Sequence, residues 1–172
     1  MQIVRFSDTQ LLARLREFEN LLTDAVTHGA SIGFMLPLGD GEAKAYWQSV
    51  ASQLAVGNKV LLGALGADGT LLGSGQIAFE SRPNGRHRAE IQKLLVLHAA
   101  RGRGIGTALM RELEAEGGRA GRTLLFLDTS VGASGAVRLY EKLGYTHCGG
   151  IPDYARDPDG TFATNAIFFK RI

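Results

Sequence analysis

The sequence predicts a mixed α/β fold, in which helices cover both faces of one sheet. Short apolar runs bounded by turn residues recur along the 172-residue chain, and they alternate with segments whose apolar residues follow a helical spacing. The predicted order is βααβββαβαββ. Because no linker, repeat or low-complexity tract interrupts this order, we expect residues 1–172 to form a single domain with a substantial core.

Local signals place each element along the chain. The first part is predicted to contain a strand at 1–6, a helix at about 9–26, a loop at 27–41, a helix at 41–57 and a hairpin at 58–80 with its turn at 67–69. The second part is predicted to contain a turn at 81–88, a strand at 89–97, a helix at 107–117, a strand at 122–129, a helix at 134–144, and strands near 145–150 and 163–171. Ser7 or Asp8 is the expected cap of the first helix, and Gly57 ends the second.

Composition and charge limit the classes of function. The hydrophobic fraction of 45% and the charged fraction of 21% are ordinary for a soluble globular protein, and a net charge of +2 is too small to indicate nucleic-acid binding. The single cysteine, Cys148, cannot form an internal disulfide. The first ten residues lack the apolar segment of a secretion signal, and no apolar run approaches a membrane span. We therefore expect a cytoplasmic protein without nucleic-acid or membrane partners.

The segment RGRGIGTALM, residues 101–110, lies between a predicted strand and a predicted helix. A tight glycine turn at a helix N-terminus directs backbone N–H groups and the positive end of the helix dipole at one point, which suits a phosphate. A P-loop would need a lysine and another spacing. A dinucleotide-binding fingerprint fits poorly, because the glycines are spaced Gly-x-Gly-x-Gly and follow four strands. The pattern Arg-x-x-Gly-x-Gly, met by Arg101, Gly104 and Gly106, fits best, and a plain glycine-rich connector is the alternative.

This pattern resembles the pyrophosphate loop of the GCN5-related N-acetyltransferases, which bind acetyl-CoA. The stretch LLVLHAARGRGIGTALM is similar to the strand, loop and helix of that family, and AVRLYEKLGYTHCG is similar to its later helix and strand. More narrowly, HGASIGFMLPL, RPNGRHRAEIQKLLVL, FLDT and DPDGTFATNAIFFK resemble the tabtoxin-resistance acetyltransferases. The resemblance implies a mixed, mostly antiparallel sheet whose central strands splay apart, acetyl-CoA as the cofactor and coenzyme A as a product.

The resemblance also implies a cofactor site built from the central strand, the glycine turn and the later helix. Its residues would be Leu95, Val96, Leu97, Arg101, Gly102, Arg103, Gly104, Ile105, Gly106, Thr107, Ser134 and Tyr140. Two positions depart from the family pattern. His98 stands where many members have proline, and Ala133 stands where many have an asparagine that faces the cofactor. Ser134, beside it, is a candidate replacement for that contact.

The chemistry of acetyl transfer suggests which side chains to seek. Most primary amines are protonated at pH 7, so the attacking amine needs a base, and the departing thiolate benefits from an acid. Glu90 is the first candidate base, as the resemblance also implies; alternatively it pairs with Arg86, Arg88 or Lys93. Asp128, at the end of LLFLD, is the second candidate base, or else a cap or turn residue. Two carboxylates in one site would raise the pKa of one of them.

Tyr140 and the acceptor walls complete the predicted site. Tyr140 matches the position where the family often places a tyrosine beside the sulfur of the cofactor, and a neutral phenol can donate a proton to a thiolate. The alternative is an ordinary buried aromatic. We expect the loop at 28–38 and the segment at 149–165 to wall the acceptor pocket. The predicted substrate-binding residues are His28, Ser31, Phe34, Glu90 and Asp128. No histidine has metal-ligand spacing, so no metal is expected.

These observations predict an acetyl-CoA-dependent N-acetyltransferase that acts on a small primary amine, such as an amino-acid-like toxin or metabolite. Toxin or antibiotic resistance is the role that the narrower resemblance implies. Two alternatives stay open: acetylation of a protein or peptide amine, and a non-catalytic acyl-CoA-binding sensor. The family often dimerises, so a homodimer is a further expectation, although a single sequence shows no interface.

Overall fold

A computed structural model describes all residues of the protein except the side chain of Ser134. Its main sheet has seven strands in the order β1-β2-β3-β4-β5-β9-β6, and a separate hairpin pairs β7 with β8. The strands are β1 (Gln2–Phe6), β2 (Lys59–Leu65), β3 (Leu71–Phe79), β4 (Arg88–Val96), β5 (Leu124–Ser130), β6 (Thr146–Gly149), β7 (Ala155–Arg156), β8 (Phe162–Ala163) and β9 (Asn165–Arg171). All neighbours in the main sheet pair antiparallel except β4 and β5, which are parallel.

Helices cover both faces of the sheet and enclose two apolar cores. The helices are α1 (Asp8–Ala13), α2 (Leu15–Thr27), α3 (Glu42–Ala55), α4 (Ile105–Arg119) and α5 (Ser134–Lys142). On one face, α1 to α3 bury side chains such as Leu11, Phe18 and Trp47 against the sheet. On the other face, α4 and α5 pack against it through side chains such as Leu109 and Tyr140. The predicted fold class is therefore confirmed. No helix among the described residues is both long and apolar enough to cross a bilayer.

The first predicted helix is wrong in one respect, because the chain bends at Arg14 and forms two helices. Ser7 caps α1 as predicted: its Oγ accepts from the N–H of Gln10 over 3.1 Å, and Gln10 Oε1 accepts from the N–H of Ser7 over 2.9 Å. Arg14 leaves the helical conformation, and its guanidinium binds Glu17 over 2.6 Å and the carbonyl of Gly69 over 2.6 Å. Since Gly69 is 55 positions away, local periodicity contains no sign of this break.

Two other boundaries differ from the predictions. Helix α4 begins at Ile105 and not at residue 107, because Gly104 takes a left-handed conformation and ends the preceding turn. The hairpin of β7 and β8 was not predicted. Its strands have only two residues each, too few for an alternating pattern to show in the sequence. The remaining elements lie within a few residues of their predicted positions.

The two central strands separate and create the space for a site. Strands β4 and β5 pair only at Arg88, Ala89 and Glu90, and diverge beyond that point. In the second half of β4, a bulge places one extra residue opposite β3, between Gln92 and Leu95. Lys93 lies in this bulge with a left-handed φ of 48°. The splayed strands that the family resemblance implied are therefore present, and the gap between them opens towards the glycine turn.

Candidate active site

A cleft of about 980 Å³ occupies the gap between β4 and β5. It is large enough for a cofactor and a small second ligand. The predicted site residues that line it are His28, Ser31, Glu90, Leu95, Val96, Arg101, Gly102, Gly104, Ile105, Gly106, Thr107, Asp128 and Tyr140. Three others, Phe34, Leu97 and Arg103, do not line it. The side chain of Ser134 lies outside the described part of the structure, so its role as a cofactor contact stays a prediction.

The glycine turn presents a row of backbone donors to the cleft. Gly102 and Gly104 both have a left-handed φ of 78°, which turns the chain sharply before α4 begins. Within the described part of the chain, the N–H groups of residues 102–107 donate to no other group. The N–H of Arg101 is different, because it donates to the carbonyl of His98 over 3.2 Å. The donors for an anion therefore begin at Gly102, and Arg103, whose side chain is exposed, does not line the cleft.

The edge of β4 offers fewer donors than predicted. The N–H of Leu97 donates to the carbonyl of Leu72 on the β3 side over 2.9 Å, so Leu97 cannot contribute it to a ligand. Because alternate residues of a strand direct their N–H groups to opposite edges, the N–H of Val96 faces the gap. Leu95 is buried and its side chain packs on the α1 to α3 side. Leu97 therefore has no free N–H for the cofactor, and its place in the cofactor site stays a prediction.

These donors fit the cofactor that the sequence resemblance implied. A pyrophosphate carries oxygens that accept hydrogen bonds from backbone N–H groups at a helix N-terminus. Helix α4 supplies such N–H groups, and its 15 residues give a helix dipole whose positive end lies at the same place. The N–H of Val96 lies further along the same cleft, where a carbonyl or amide of an extended ligand could accept it. A nucleotide cofactor with a long arm therefore matches the row of unpaired donors.

Glu90 belongs to a chain of hydrogen bonds on the α1 to α3 face of the sheet. Gln92 Nε2 donates to Glu90 Oε2 over 2.8 Å, and Lys59 Nζ donates to Gln92 Oε1 over 2.8 Å. The same Lys59 Nζ donates to Gln76 Oε1 over 2.9 Å, and Gln76 Nε2 donates to the hydroxyl of Tyr46 over 2.9 Å. Four elements thus fix the position of one carboxylate.

The ion-pair alternative for Glu90 is wrong. Arg88 binds Glu80 over 2.9 Å, and Arg86 Nε donates to the carbonyl of Ser81. Among the described residues, no cationic group lies within 4 Å of the Glu90 carboxylate. The carboxylate therefore keeps one oxygen, Oε1, that the protein does not engage by a hydrogen bond.

Lys59 is an unusual member of this network because it is buried, with 6% of its surface exposed. Burial lowers its pKa to about 8, and the charge of Lys93 lowers it further, whereas Glu90 opposes the change. Burial also raises the pKa of Tyr46 to about 12. The network therefore holds one lysine whose charge is costly and one phenol that stays neutral.

Asp128 lies on the same face of the sheet as Glu90. Phe126 pairs in register with Glu90, and Asp128 is two residues further along β5, so its side chain points the same way. It pairs with Ile167 within the strand, which excludes the predicted alternative of a turn or cap. Its carboxylate is exposed to the cleft, and Asn165 Nδ2 approaches it at 3.5 Å. Both candidate bases therefore face one cavity.

Tyr140 reaches the gap from the opposite face. Its ring packs against Tyr145 and Phe168 at centroid distances of 6.1 and 5.7 Å, and only 6% of the residue is exposed. Burial, and secondarily the charge of Asp128, raises the pKa of Tyr140 to about 12. The residue is thus both a core aromatic and part of the cleft wall.

Two histidines join the acceptor loop to the end of β4. The rings of His28 and His98 stack at 3.9 Å, and both residues contact Asp24. His28 Nδ1 lies 2.8 Å from the carbonyl of Asp24, while the N–H of His98 donates to Asp24 Oδ2 over 2.7 Å. Phe34, predicted to bind substrate, is instead buried in the α1 to α3 core, with its ring 5.4 Å from that of Tyr46. Phe34 therefore packs in the core behind the cleft and does not line the cleft itself.

Several polar residues of the cleft were not predicted from the sequence to line it: Tyr46, Lys59, Gln92, Lys93 and Asn165. The signal that could have found some of them is the polar group in EIQKLLVL, since a strand in the middle of a sheet is otherwise apolar. Within the described residues, no group of three His, Cys, Asp or Glu side chains is arranged to hold a metal ion.

Comparisons with known proteins agree with this geometry. The family model for the acetyltransferase (GNAT) family matches residues 25–145. A protein of Azospirillum brasilense named IAA acetyltransferase is 33% identical over 94 residues, which span 55% of this chain and 60% of that protein. A ribosomal-protein-alanine N-acetyltransferase from Brucella melitensis superposes with a TM-score of 0.83 at 22% identity, over the whole of both chains. A phosphinothricin acetyltransferase from Sinorhizobium meliloti, solved with AcCoA, superposes with a TM-score of 0.81 at 21% identity, over 100% of this chain and 89% of that one.

The fold and the donor-lined cleft define an acyltransferase that uses a coenzyme A thioester. The chain belongs to the acetyltransferase (GNAT) family. Its cofactor is acetyl-CoA, and both the predicted enzyme class and the predicted cofactor are confirmed.

Proposed function

We propose that this enzyme transfers the acetyl group of acetyl-CoA to the primary amine of a small, amino-acid-like molecule. The observation that carries the proposal is the pair of carboxylates, Glu90 and Asp128, which face one cleft from adjacent splayed strands. Among the residues that the structure describes, no cation lies within 4 Å of either carboxylate. Such a pair can attract an ammonium group and take a proton from it. The N–H groups of residues 102–107 hold the other substrate beside them.

Each side chain then has a distinct role. Acetyl-CoA supplies a thioester, which is already activated towards an amine. The N–H groups of residues 102–107 hold the pyrophosphate, and the N–H of Val96 is positioned to donate to a carbonyl in the gap. Glu90 accepts the proton of the amine through its free Oε1, directly or through one water, with Asp128 as the second acceptor. Tyr140, neutral because its pKa is about 12, donates a proton to the leaving thiolate.

The walls of the cleft favour a small acceptor over a protein. The loop at 28–41 and the segment at 149–165 meet, because the N–H of Leu36 donates to the carbonyl of Pro158 over 3.1 Å. Tyr154 and Thr164 from this segment line the same cleft as His28 and Ser31 from the loop. A peptide substrate would need a groove long enough for an extended chain, whereas these two segments border the acceptor side and are joined across it.

The similar proteins are named for different kinds of acceptor. The relatives include one named for IAA and one named for phosphinothricin, but also one named for a ribosomal protein. The tabtoxin-resistance resemblance rests on segments at 28–38, 82–97, 126–129 and 157–170, of which the first and last contribute residues to the cleft. On the basis of this resemblance, we propose that the enzyme acetylates amino-acid-like toxins or metabolites and acts as one domain in the cytoplasm. A homodimer follows from the family resemblance alone, and light scattering tests it.

The experiment is a thiol-release assay with acetyl-CoA and a panel of acceptors: amino acids, dipeptides, polyamines, aminoglycosides and a peptide with a free N-terminal alanine. Release of coenzyme A with a small amine, and formation of its N-acetyl product by mass spectrometry, supports the proposal. Preferential acetylation of the peptide would favour the protein-directed alternative. Tight acetyl-CoA binding without acceptor-dependent release would indicate the sensor.

A further inference from the structure

The acceptor side of the cleft contains a lysine that neither the proposed chemistry nor the cofactor site uses. Lys93 lines the cleft, and its Nζ lies 5.9 Å from the centre of the Tyr46 ring. No hydrogen bond or ion pair engages this Nζ among the described residues. The loop at 28–33 passes close by, since a Cβ on Gly33 would lie 3.9 Å from it.

The backbone brings this lysine to the acceptor side by an uncommon conformation. In a regular strand, Lys93 would point to the opposite face from Gln92, into the core under α4. The bulge instead gives Lys93 a left-handed φ of 48°, which non-glycine side chains seldom adopt. Both Gln92 and Lys93 therefore face the α1 to α3 side. Strained residues in bulges concentrate at functional sites.

The charges around Lys93 are separated rather than paired. Burial lowers the pKa of Lys93, whereas the charges of Asp128 and Glu90 oppose this change from beyond ion-pair distance. Lys59, the other lysine of the cleft, donates hydrogen bonds from its Nζ to the side-chain oxygens of Gln76 and Gln92. The acceptor pocket thus has a carboxylate side and an ammonium side.

We propose that Lys93 is an anion subsite, which binds the carboxylate of an acceptor that carries its amine and carboxylate on one small molecule. The inference rests on the proposed function and narrows it to zwitterionic amino acids. Glu90 and Asp128 face the ammonium group of the acceptor, and Lys93 faces its carboxylate. An acceptor without that carboxylate would leave Lys93 partly desolvated and unpaired, which is unfavourable.

The test compares each acceptor with a twin in which a neutral amide replaces the α-carboxylate. Methionine, leucine, phenylalanine, glutamate and lysine are assayed beside their α-carboxamides, with saturating acetyl-CoA. We expect the free acids to be preferred at least about tenfold in kcat/KM, mainly through KM, because a charge-assisted hydrogen bond is lost in the amides. Lys93→Gln is expected to reduce this preference below about threefold. Lys44→Gln, which changes an exposed lysine on α3 outside the cleft, is expected to keep it.

A second measurement does not depend on turnover. Calorimetry with the coenzyme A-loaded wild-type protein compares the N-acetyl derivative of each amino acid with that of its amide. If amines are acetylated but acids and amides react equally, the anion subsite is wrong and the proposed function stands. If nothing is acetylated but the N-acetyl acids bind more tightly in a manner that Lys93→Gln abolishes, the proposed function fails and the subsite stands. Equal binding and equal turnover of the two forms overturn the subsite.

Discussion

The side chains of Glu90 and Gln92, two residues apart on β4, are joined by a hydrogen bond of 2.8 Å from Nε2 of the amide to Oε2 of the carboxylate. A second hydrogen bond, from Lys59 to the same Gln92 side chain, determines the direction of this bond. Lys59 can only donate, so the oxygen of Gln92 must face Lys59, and its nitrogen must face Glu90. Glu90 therefore acts as the acceptor in this pair. Its second oxygen stays available to the cleft, as a base requires.

Replacing Glu90 by glutamine tests that role. Glu90→Gln keeps the size of the side chain and removes its charge, so turnover should fall by roughly 10²–10⁴ while the affinity for acetyl-CoA stays nearly constant. The loss should shrink at high pH, where the amine is deprotonated without help. Steady-state kinetics from pH 7 to 10 measure this, with Glu19→Gln on α2, outside the cleft, as the control. A loss that is the same at every pH would assign Glu90 a structural role and the base to Asp128.

The glycine turn makes a prediction about cofactor affinity. Gly104 has a φ of 78°, so Gly104→Ala strains the conformation that aims the N–H groups of residues 102–107 at the pyrophosphate. We expect acetyl-CoA to bind at least about tenfold more weakly by calorimetry, equivalent to about 1.4 kcal/mol. The matched control is Gly121→Ala, because Gly121 is also left-handed, at 69°, and has open space around it outside the cleft. Equal affinities of the two variants would contradict the assignment of the turn.

A substitution at Tyr140 distinguishes the proposed proton donation from the packing of the ring. Tyr140→Phe keeps the ring between Tyr145 and Phe168 and removes only the hydroxyl, so folding should be normal and turnover should fall clearly. An acyl donor with a better leaving thiolate should recover part of the loss, because it needs the proton less. Because the pKa of Tyr140 is about 12, the wild-type protein should keep this donor through pH 10. Tyr145→Phe, outside the cleft, is the control. Normal turnover of Tyr140→Phe with acetyl-CoA would show that water protonates the thiolate.

The buried Lys59 predicts a pH dependence of stability. Its pKa is about 8 in the folded protein and near 10.5 when unfolded, so between these values the unfolded chain binds more protons. The free energy of unfolding of the wild type should therefore rise, relative to Lys59→Met, as the pH increases from 7 to 9.5, by at most about 1.4 kcal/mol per pH unit. Urea denaturation of both proteins at each pH measures the difference, in which the titrations of groups not coupled to Lys59 cancel. A difference that does not change with pH would show that Lys59 keeps an ordinary pKa.

The sequence predicts those parts of the molecule that depend on neighbours along the chain. The cap at Ser7, the turn at 67–69 and the glycine turn are local patterns, and each lies where it was expected. The bend at Arg14 depends on Gly69, and the loss of the Leu97 donor depends on Leu72 in another strand, so no local pattern contains them.

In the candidate site, too, the features that depend on contacts between distant residues could not be predicted. The placement of Glu90 and Asp128 in one cleft could be anticipated from the family resemblance. The surroundings of Lys59 and Lys93 could not be anticipated from the sequence. Whether a strand lysine is buried, exposed or unpaired depends on the bulge and on helices distant in sequence.

The bulge in β4 sets the two halves of that strand out of phase. Before it, the even-numbered residues Glu90 and Gln92 face the acceptor side, and after it the odd-numbered Leu95 does. Losing one residue at this point would remove the bulge and leave a regular strand, in which Leu95 keeps its core face and the N–H of Val96 keeps its direction, but the conformation that turns Lys93 to the acceptor side would be gone. The extra residue therefore matters to the acceptor side alone: a deletion of a single codon here would change the charge that faces the acceptor and leave the backbone that faces the cofactor in register.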